Sequence, residues 1–461
     1  MRDAPDPDMA LGHLAELLEK VRPADRYARW LVESPARARA LVGLFGAGEF
    51  LSRAILAQPE SVDAALVAPS APALEEIPTW VGAAAEMARA EAPGDTDLAL
   101  GALRRAARQA TLGVGLADVA GELEPWEVTE RLSLVAEESL RQCLALAAEE
   151  CSARWGDPGP KGPLDGVAVV AMGSLAAREL GYGGDLDLLF LFGAERSTSG
   201  GKRGAVTMGE YAVRLAQRTL WLLSTPHEQG PGWATDTRLR PAGSQGTLVT
   251  SRDAFAEYHA SHSASWERQA LLRARPAAGD PALCAELGAQ IAHIAYERGP
   301  ADLGEMRRLR ARMELELGRE DRGAIALKYG RGALVDVEFA AQALQMARGR
   351  DEAVRTPTTR LALIALRDRG HLDEAEADAL LRGENLLRRA LLAARLTTLK
   401  GDLSPAAPSA MAIARRLGYR ERAGRGALDN LLADLATTRE FVRRAWRSVL
   451  DRLEAEGLSP P

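Results

Sequence analysis

The chain has no excess of positive charge. Its 461 residues carry 58 Lys+Arg against 64 Asp+Glu, a net charge of -6, whereas a nucleic-acid-binding domain usually shows a basic excess. No DNA or RNA partner is expected. Cysteine is scarce: Cys143, Cys151 and Cys284 are an odd number without the paired spacing of a zinc site, which argues against a disulfide framework and fits a reducing compartment. The stretch MRDAPDPDMALGHL lacks the basic start and apolar core of a signal peptide, and no apolar run reaches the length of a membrane span. No repeat of fixed period is present. These absences predict a soluble cytoplasmic protein with no membrane partner. The remainder is ordinary for a folded chain, 47% hydrophobic and 26% charged. At this length two or three packed units are expected.

Apolar spacing predicts helices through 11–66, with Leu14, Leu17 and Leu18, then Tyr27, Trp30 and Leu31, then Leu41, Leu44 and Phe45 on buried faces. A proline-rich linker is expected at 67–78, and further helices at 83–109 and 125–153. The character changes near Asp165. VAVVAM at 167–172 and DLDLLFLF at 185–192 are of strand length, with a glycine-marked loop between them. A glycine-rich insertion at 193–204 is followed by a helix at 208–223 and a third strand at 233–239. Beyond Pro281 the pattern is helical again, through 309–317, 334–346, 360–369, 380–400, 411–417 and 431–453. The expectation is a predominantly helical α+β protein: an N-terminal helical region over 1–100, a catalytic domain with a small mixed sheet over 101–280, and a C-terminal helical bundle over 281–461.

Asp185 and Asp187 open the second strand on alternate positions, so both carboxylates point to one face. A third acid, Asp236, falls in the third strand. Hard oxygen ligands of this kind suit Mg2+ together with substrate phosphates, and such a set serves in-line displacement at phosphorus. Asp236 is also the expected acceptor of the nucleophile's proton. Arg238 and Arg240, alternating on the same strand, would stand beside Asp236 to hold phosphate or simply to pair with it. Lys328 and Asp336, beside a Gly-x-Gly turn and close to Glu338, are read as nucleotide-binding or supporting residues; a first-turn dipole contribution is the alternative for the two acids. Glu267, Arg268, Arg273 and Arg275 are read on one helix with Trp266 and Ala270 as core residues, the charges forming either a site wall or a solvated face. Tyr182 stacks on a base or packs the loop. His259 and His262, without a third ligand, are ordinary helix residues.

Gly173 and Ser174 end the first strand. The order of strand, Gly-Ser turn, Asp-x-Asp strand and distal acid resembles the DNA polymerase beta-like nucleotidyltransferase superfamily, which implies that Gly173 and Ser174 meet the triphosphate of ATP. The segments AMGSLAARELGYGGDLDLLFLF, DTRLRPAGSQGTLV, SWERQALLRARPAAGD and LKYGRGALVDVEF, in this order, resemble the glutamine synthetase adenylyltransferase family. That resemblance runs from about residue 27 to 449. It implies transfer of AMP from ATP to a tyrosine of glutamine synthetase, with a PII-type signalling protein as a further partner. ARWLVESPARARALVGLF, SWERQALLRAR and ALVDVEF are more like the family's C-terminal, adenylylating half. Phosphorolytic removal of AMP and a non-catalytic nucleotide-binding module are the competing readings. The family's Gly-Lys-Leu-Gly-Gly turn is Gly-Ser-Leu-Ala-Ala here, at 173–177.

Overall fold

A computed structural model describes residues 4–59, 72–241, 243, 246–320, 323–422 and 424–458, without the side chains of 26, 30, 36 and 37. Residues 67–71 of the predicted linker and the Trp30 side chain therefore lie outside the described residues. Helices fill both ends of the chain and one small mixed sheet lies between them, the predominantly helical α+β class expected. The sheet is built on β1 (Val167–Met172) and β2 (Leu186–Phe192), apolar runs that pair antiparallel with Ala171 opposite Leu188. The other edge of β2 is shared in two halves. β3 (Thr235–Asp236) runs parallel to its start and β4 (Val249–Ser251) parallel to its end. β5 (Ala274–Gly279) pairs antiparallel with β1, and β6 (Ile325–Ala326) with β7 (Asp402–Leu403) forms a separate ladder.

Strand alternation assigns each side chain to a layer. Val167, Val169, Ala171, Leu186, Leu188 and Phe190 share a core with the helices Glu76–Glu91, Thr96–Ala120, Pro125–Trp155 and Met208–Ser224. Ala168, Val170, Met172, Leu189 and Leu191 face the other way, into a core made with the helices from Pro281–Tyr296 to Ala427–Ala455. The sheet is thus the middle of three layers. A third cluster joins the first helices, Pro7–Lys20, Pro35–Ala47 and Glu49–Ala57, to Tyr182 and to Leu392 and Leu396 of the helix Glu374–Thr398. Among the described residues no single helix is long and apolar enough to cross a membrane. One bent pair, Ala38–Ala47 with Glu49–Ala57, passes by length and composition, and its Leu41, Leu44, Phe45, Leu51 and Ile55 are buried in that third cluster.

Several elements differ from the sequence expectation. The helix at 83–109 is two helices, Glu76–Glu91 and Thr96–Ala120, parted at Pro93 and Gly94, the latter with φ +86°. The third strand pairs over two residues only, so Arg238 and Arg240 lie in the turn beyond it and do not alternate on a strand. The helix expected to carry four charges, Ser265–Leu271, ends before Arg273; Arg273 and Arg275 belong to the approach and body of β5, and Trp266 is 39% exposed rather than core. β4 and β5 were not anticipated, being a three-residue strand and a run broken by Pro276 and Gly279.

Candidate active site

Asp185 and Asp187 share the parity of Leu189 and Leu191, so the pleat aims them at the layer of C-terminal helices. Asp236 is the parallel register partner of Asp187. The three carboxylates converge: one oxygen from each lies within 4.8 Å of the other two, Asp185 exposed and the others half-buried. A cluster of hard oxygens open on one side matches the donor set that magnesium takes. The crowding is visible in the acid strengths. Burial first, then the charges of Asp185 and Asp236, push Asp187 up to about 6, against a smaller pull downward from Lys328 and Arg273. Asp236 moves the other way, its hydrogen bonds from Arg238 outweighing burial and holding it below the usual carboxylate range.

Arg238 donates from Nε to both Asp236 oxygens, at 3.1 and 2.8 Å, and from Nη2 to Oδ2 at 2.5 Å, while remaining 78% exposed. A carboxyl held ionised in this way is a weaker proton acceptor than Asp187. Arg240 turns toward the backbone of its own loop, donating to Thr237 O at 2.7 Å and Gly246 O at 3.3 Å, and reaches Asp236 only as a nearby charge.

The turn between β1 and β2 fits closely over Asp187. Gly173 has φ +56°, and a Cβ on it would stand 2.5 Å from Asp187 Oδ2. Only glycine satisfies both constraints. Its amide donates to Arg273 O at 2.9 Å, and Arg275 Nε donates to Ala176 O at 3.0 Å while its Nη2 pairs with Glu137 of the Pro125–Trp155 helix. The start of β5 therefore clamps the turn in place. Ser174 lines a cavity with Asp185, Lys328, Glu338, Arg388 and Arg395. Ala176 and Ala177 are fully buried on the packed side of the turn.

A buried ion network supports the cavity. Arg273 pairs with Glu179 at 2.8 Å and Glu338 at 2.7 Å; Arg388 pairs with Glu179 at 3.1 Å and with Glu384. Burial raises the Glu179 carboxyl, but Arg273, Arg388 and the Thr359 amide outweigh it and hold the group at about 2. Asp336 is not part of this site. Wholly buried, it pairs with Arg310 and with Arg443 at 3.1 Å and accepts from Gly332 N at 2.7 Å, so its work is to tie helices together. Of the helix charges, Glu267 caps its own helix at Ala264 N and Arg268 binds the carbonyls of 298–300. Tyr182 is buried and donates to Asp118 Oδ2 at 2.8 Å, a packing residue. His259 lies edge-on to Phe255 and Tyr258, an ordinary helix residue as expected.

Sequence reasoning missed Glu179, Arg388 and Arg395. Glu179 was the one charged residue with a local signal, an acid close before the glycines that turn the chain back into β2; the two arginines sit on an unremarkable amphipathic helix.

The profile of the glutamate-ammonia ligase adenylyltransferase family matches residues 38–290, and that of GlnD PII-uridylyltransferase matches residues 307–450. The chain is 35% identical over 345 residues to the bifunctional glutamine synthetase adenylyltransferase/adenylyl-removing enzyme of Xanthomonas campestris pv. campestris, an alignment covering 74% of this chain and 36% of that protein. The protein of the same description from Shewanella loihica is 33% identical over 363 residues, covering 75% and 37%. The match therefore spans little more than a third of these relatives' length.

Proposed function

The chain belongs to the glutamate-ammonia ligase adenylyltransferase family, and on that premise we propose that it is a magnesium-dependent adenylyltransferase moving AMP from ATP to a tyrosine of glutamine synthetase. The convergence of Asp185, Asp187 and Asp236 beneath the Gly173–Ser174 turn carries this reading. We assign the catalytic unit to 101–280, between helical regions at 1–100 and 281–461, and place the protein in the cytoplasm. A PII-type protein is the regulatory partner the GlnD-like region brings to mind.

Asp185, Asp187 and Asp236 would hold Mg2+, which would supply charge neutralisation for the phosphates. Ser174, Lys328 and, once released from Asp236, Arg238 bind the phosphates. Arg240 holds the Arg238 loop in shape. The tyrosine oxygen attacks the α-phosphorus as the bond to the pyrophosphate oxygen breaks. A phenol with a pKa of about 10 must shed its proton to react near neutrality, and the acceptor is a carboxylate of the set.

Asp185→Asn is expected to fold normally and to lose magnesium-dependent AMP labelling of glutamine synthetase; undiminished labelling overturns the mechanism. The adenylyl-removing half of the relatives' description keeps a second reading in view. Release of ADP from adenylylated glutamine synthetase with phosphate and magnesium would favour it, and ATP binding without turnover on any acceptor would mark a non-catalytic module.

A further inference from the structure

Three acids, Glu179, Asp185 and Glu338, and three bases, Lys328, Arg388 and Arg395, line the cavity, so its formal charges cancel, but they are not all in contact pairs. Glu179 and Glu338 are matched by Arg273 and Arg388 at 2.7–3.1 Å. Two further cations on the same wall have no such match. Lys328 is half-buried with its ammonium 5.2 Å from the Tyr329 ring, and Arg395 is half-buried with one hydrogen bond, from Nη1 to Tyr182 O at 3.4 Å. Among the described residues no carboxylate lies within 4 Å of either. Elsewhere Arg310, Arg416, Arg439 and Arg443 are paired with carboxylates, whereas Arg104 and Arg268 meet backbone carbonyls instead. Burying a guanidinium without a counter-charge is unfavourable unless something else meets it.

Arg395 is held in this position from both sides. Leu392 and Leu396, on the flanking positions of the last helical turns, pack with the N-terminal helices and Tyr182, and Thr397 Oγ1 donates to Ala47 O at 2.8 Å. Gly181 leaves room for the guanidinium: a Cβ there would lie 3.2 Å from Nη1. Asp185 lines the same cavity and is a carboxylate whose charge acts on the guanidinium.

We propose that Arg395, with Lys328, receives the β- and γ-phosphates of the nucleotide, so that the C-terminal helices complete a site that the sheet begins. The inference rests on the nucleotidyl-transfer reading for the identity of the ligand. A planar fork and an ammonium that line one cavity with Ser174 suit a polyphosphate better than a single carboxylate. On the nucleotidyl-transfer reading the α-phosphate would meet the three carboxylates, which leaves the two cations for the group that departs.

Calorimetry with ATP, AMP and inorganic tripolyphosphate, each with magnesium, tests this. Arg395→Met is expected to weaken ATP and tripolyphosphate about tenfold or more, the loss of a charge-assisted hydrogen bond, with AMP affinity and melting temperature unchanged. Arg395→Lys should lose less, again only for the polyphosphates, and serves if the methionine variant does not fold. Unchanged tripolyphosphate affinity, or an equal loss for AMP, overturns the inference and leaves the nucleotidyl-transfer reading standing. Tight binding of tripolyphosphate but not ATP by the unaltered chain would do the opposite.

Discussion

Gly173 shows how much one missing methyl group decides. A side chain there would need a left-handed backbone at φ +56° and would press on the Asp187 carboxylate. Gly173→Ala should cost about 1–3 kcal/mol of stability from backbone strain, read by urea denaturation, and should also weaken magnesium binding by displacing Asp187. Normal magnesium affinity in a destabilised variant would mean that the turn moves without disturbing the carboxylate. The sequence made Gly173 visible as a turn residue next to Ser174. It gave no sign that its Cα lies over Asp187, because that contact joins the end of β1 to the start of β2 through their register.

Among the elements, the N-terminal turn of the helix Leu334–Arg348 corrects a sequence reading most sharply. Asp336 sits beside Lys328 in the chain, and proximity in sequence links the two in function. In space they part: Lys328 lines the cavity, while Asp336 enters a dry junction of three helices, Leu303–Leu317, Leu334–Arg348 and Ala427–Ala455, through Arg310 and Arg443. Asp336→Asn is therefore expected to destabilise the chain by about 3–5 kcal/mol, as breaking a buried pair does, with ATP and magnesium affinity of the folded fraction unchanged. A selective loss of ATP affinity at full stability would restore the functional reading. Long, strongly periodic helices were legible because their apolar faces repeat every turn. β3, β4 and β5 were not, since a strand of two or three residues exists only through its partner.

At the scale of the whole molecule, pH tests how the layers are held. His259 is buried, and burial with the neighbouring Arg298 charge lowers it from 6.5 to about 4. Between those values the unfolded chain binds a proton that the folded chain refuses, so stability falls as pH drops from 6.5 toward 4, at most by about 1.4 kcal/mol per pH unit. His259→Gln should flatten this part of the denaturation curve; an unchanged slope would show that the imidazole is not the group responsible. Glu179 acts in a lower window. Its folded value of about 2 lies below the ordinary carboxyl, so the stability it contributes is complete above about 4.5 and is lost as pH falls toward 2. The sequence by itself determined the helical class, the two central strands, and the pairing of Asp185 with Asp187 on one face, because helical and strand periodicity are local consequences of backbone geometry. Tertiary structure alone decided that this face meets the C-terminal helices, that Asp236 arrives beside Asp187, and that Lys328 and Arg395 enter one cavity. Those are choices of register and packing between segments far apart in the chain, and no local pattern encodes them.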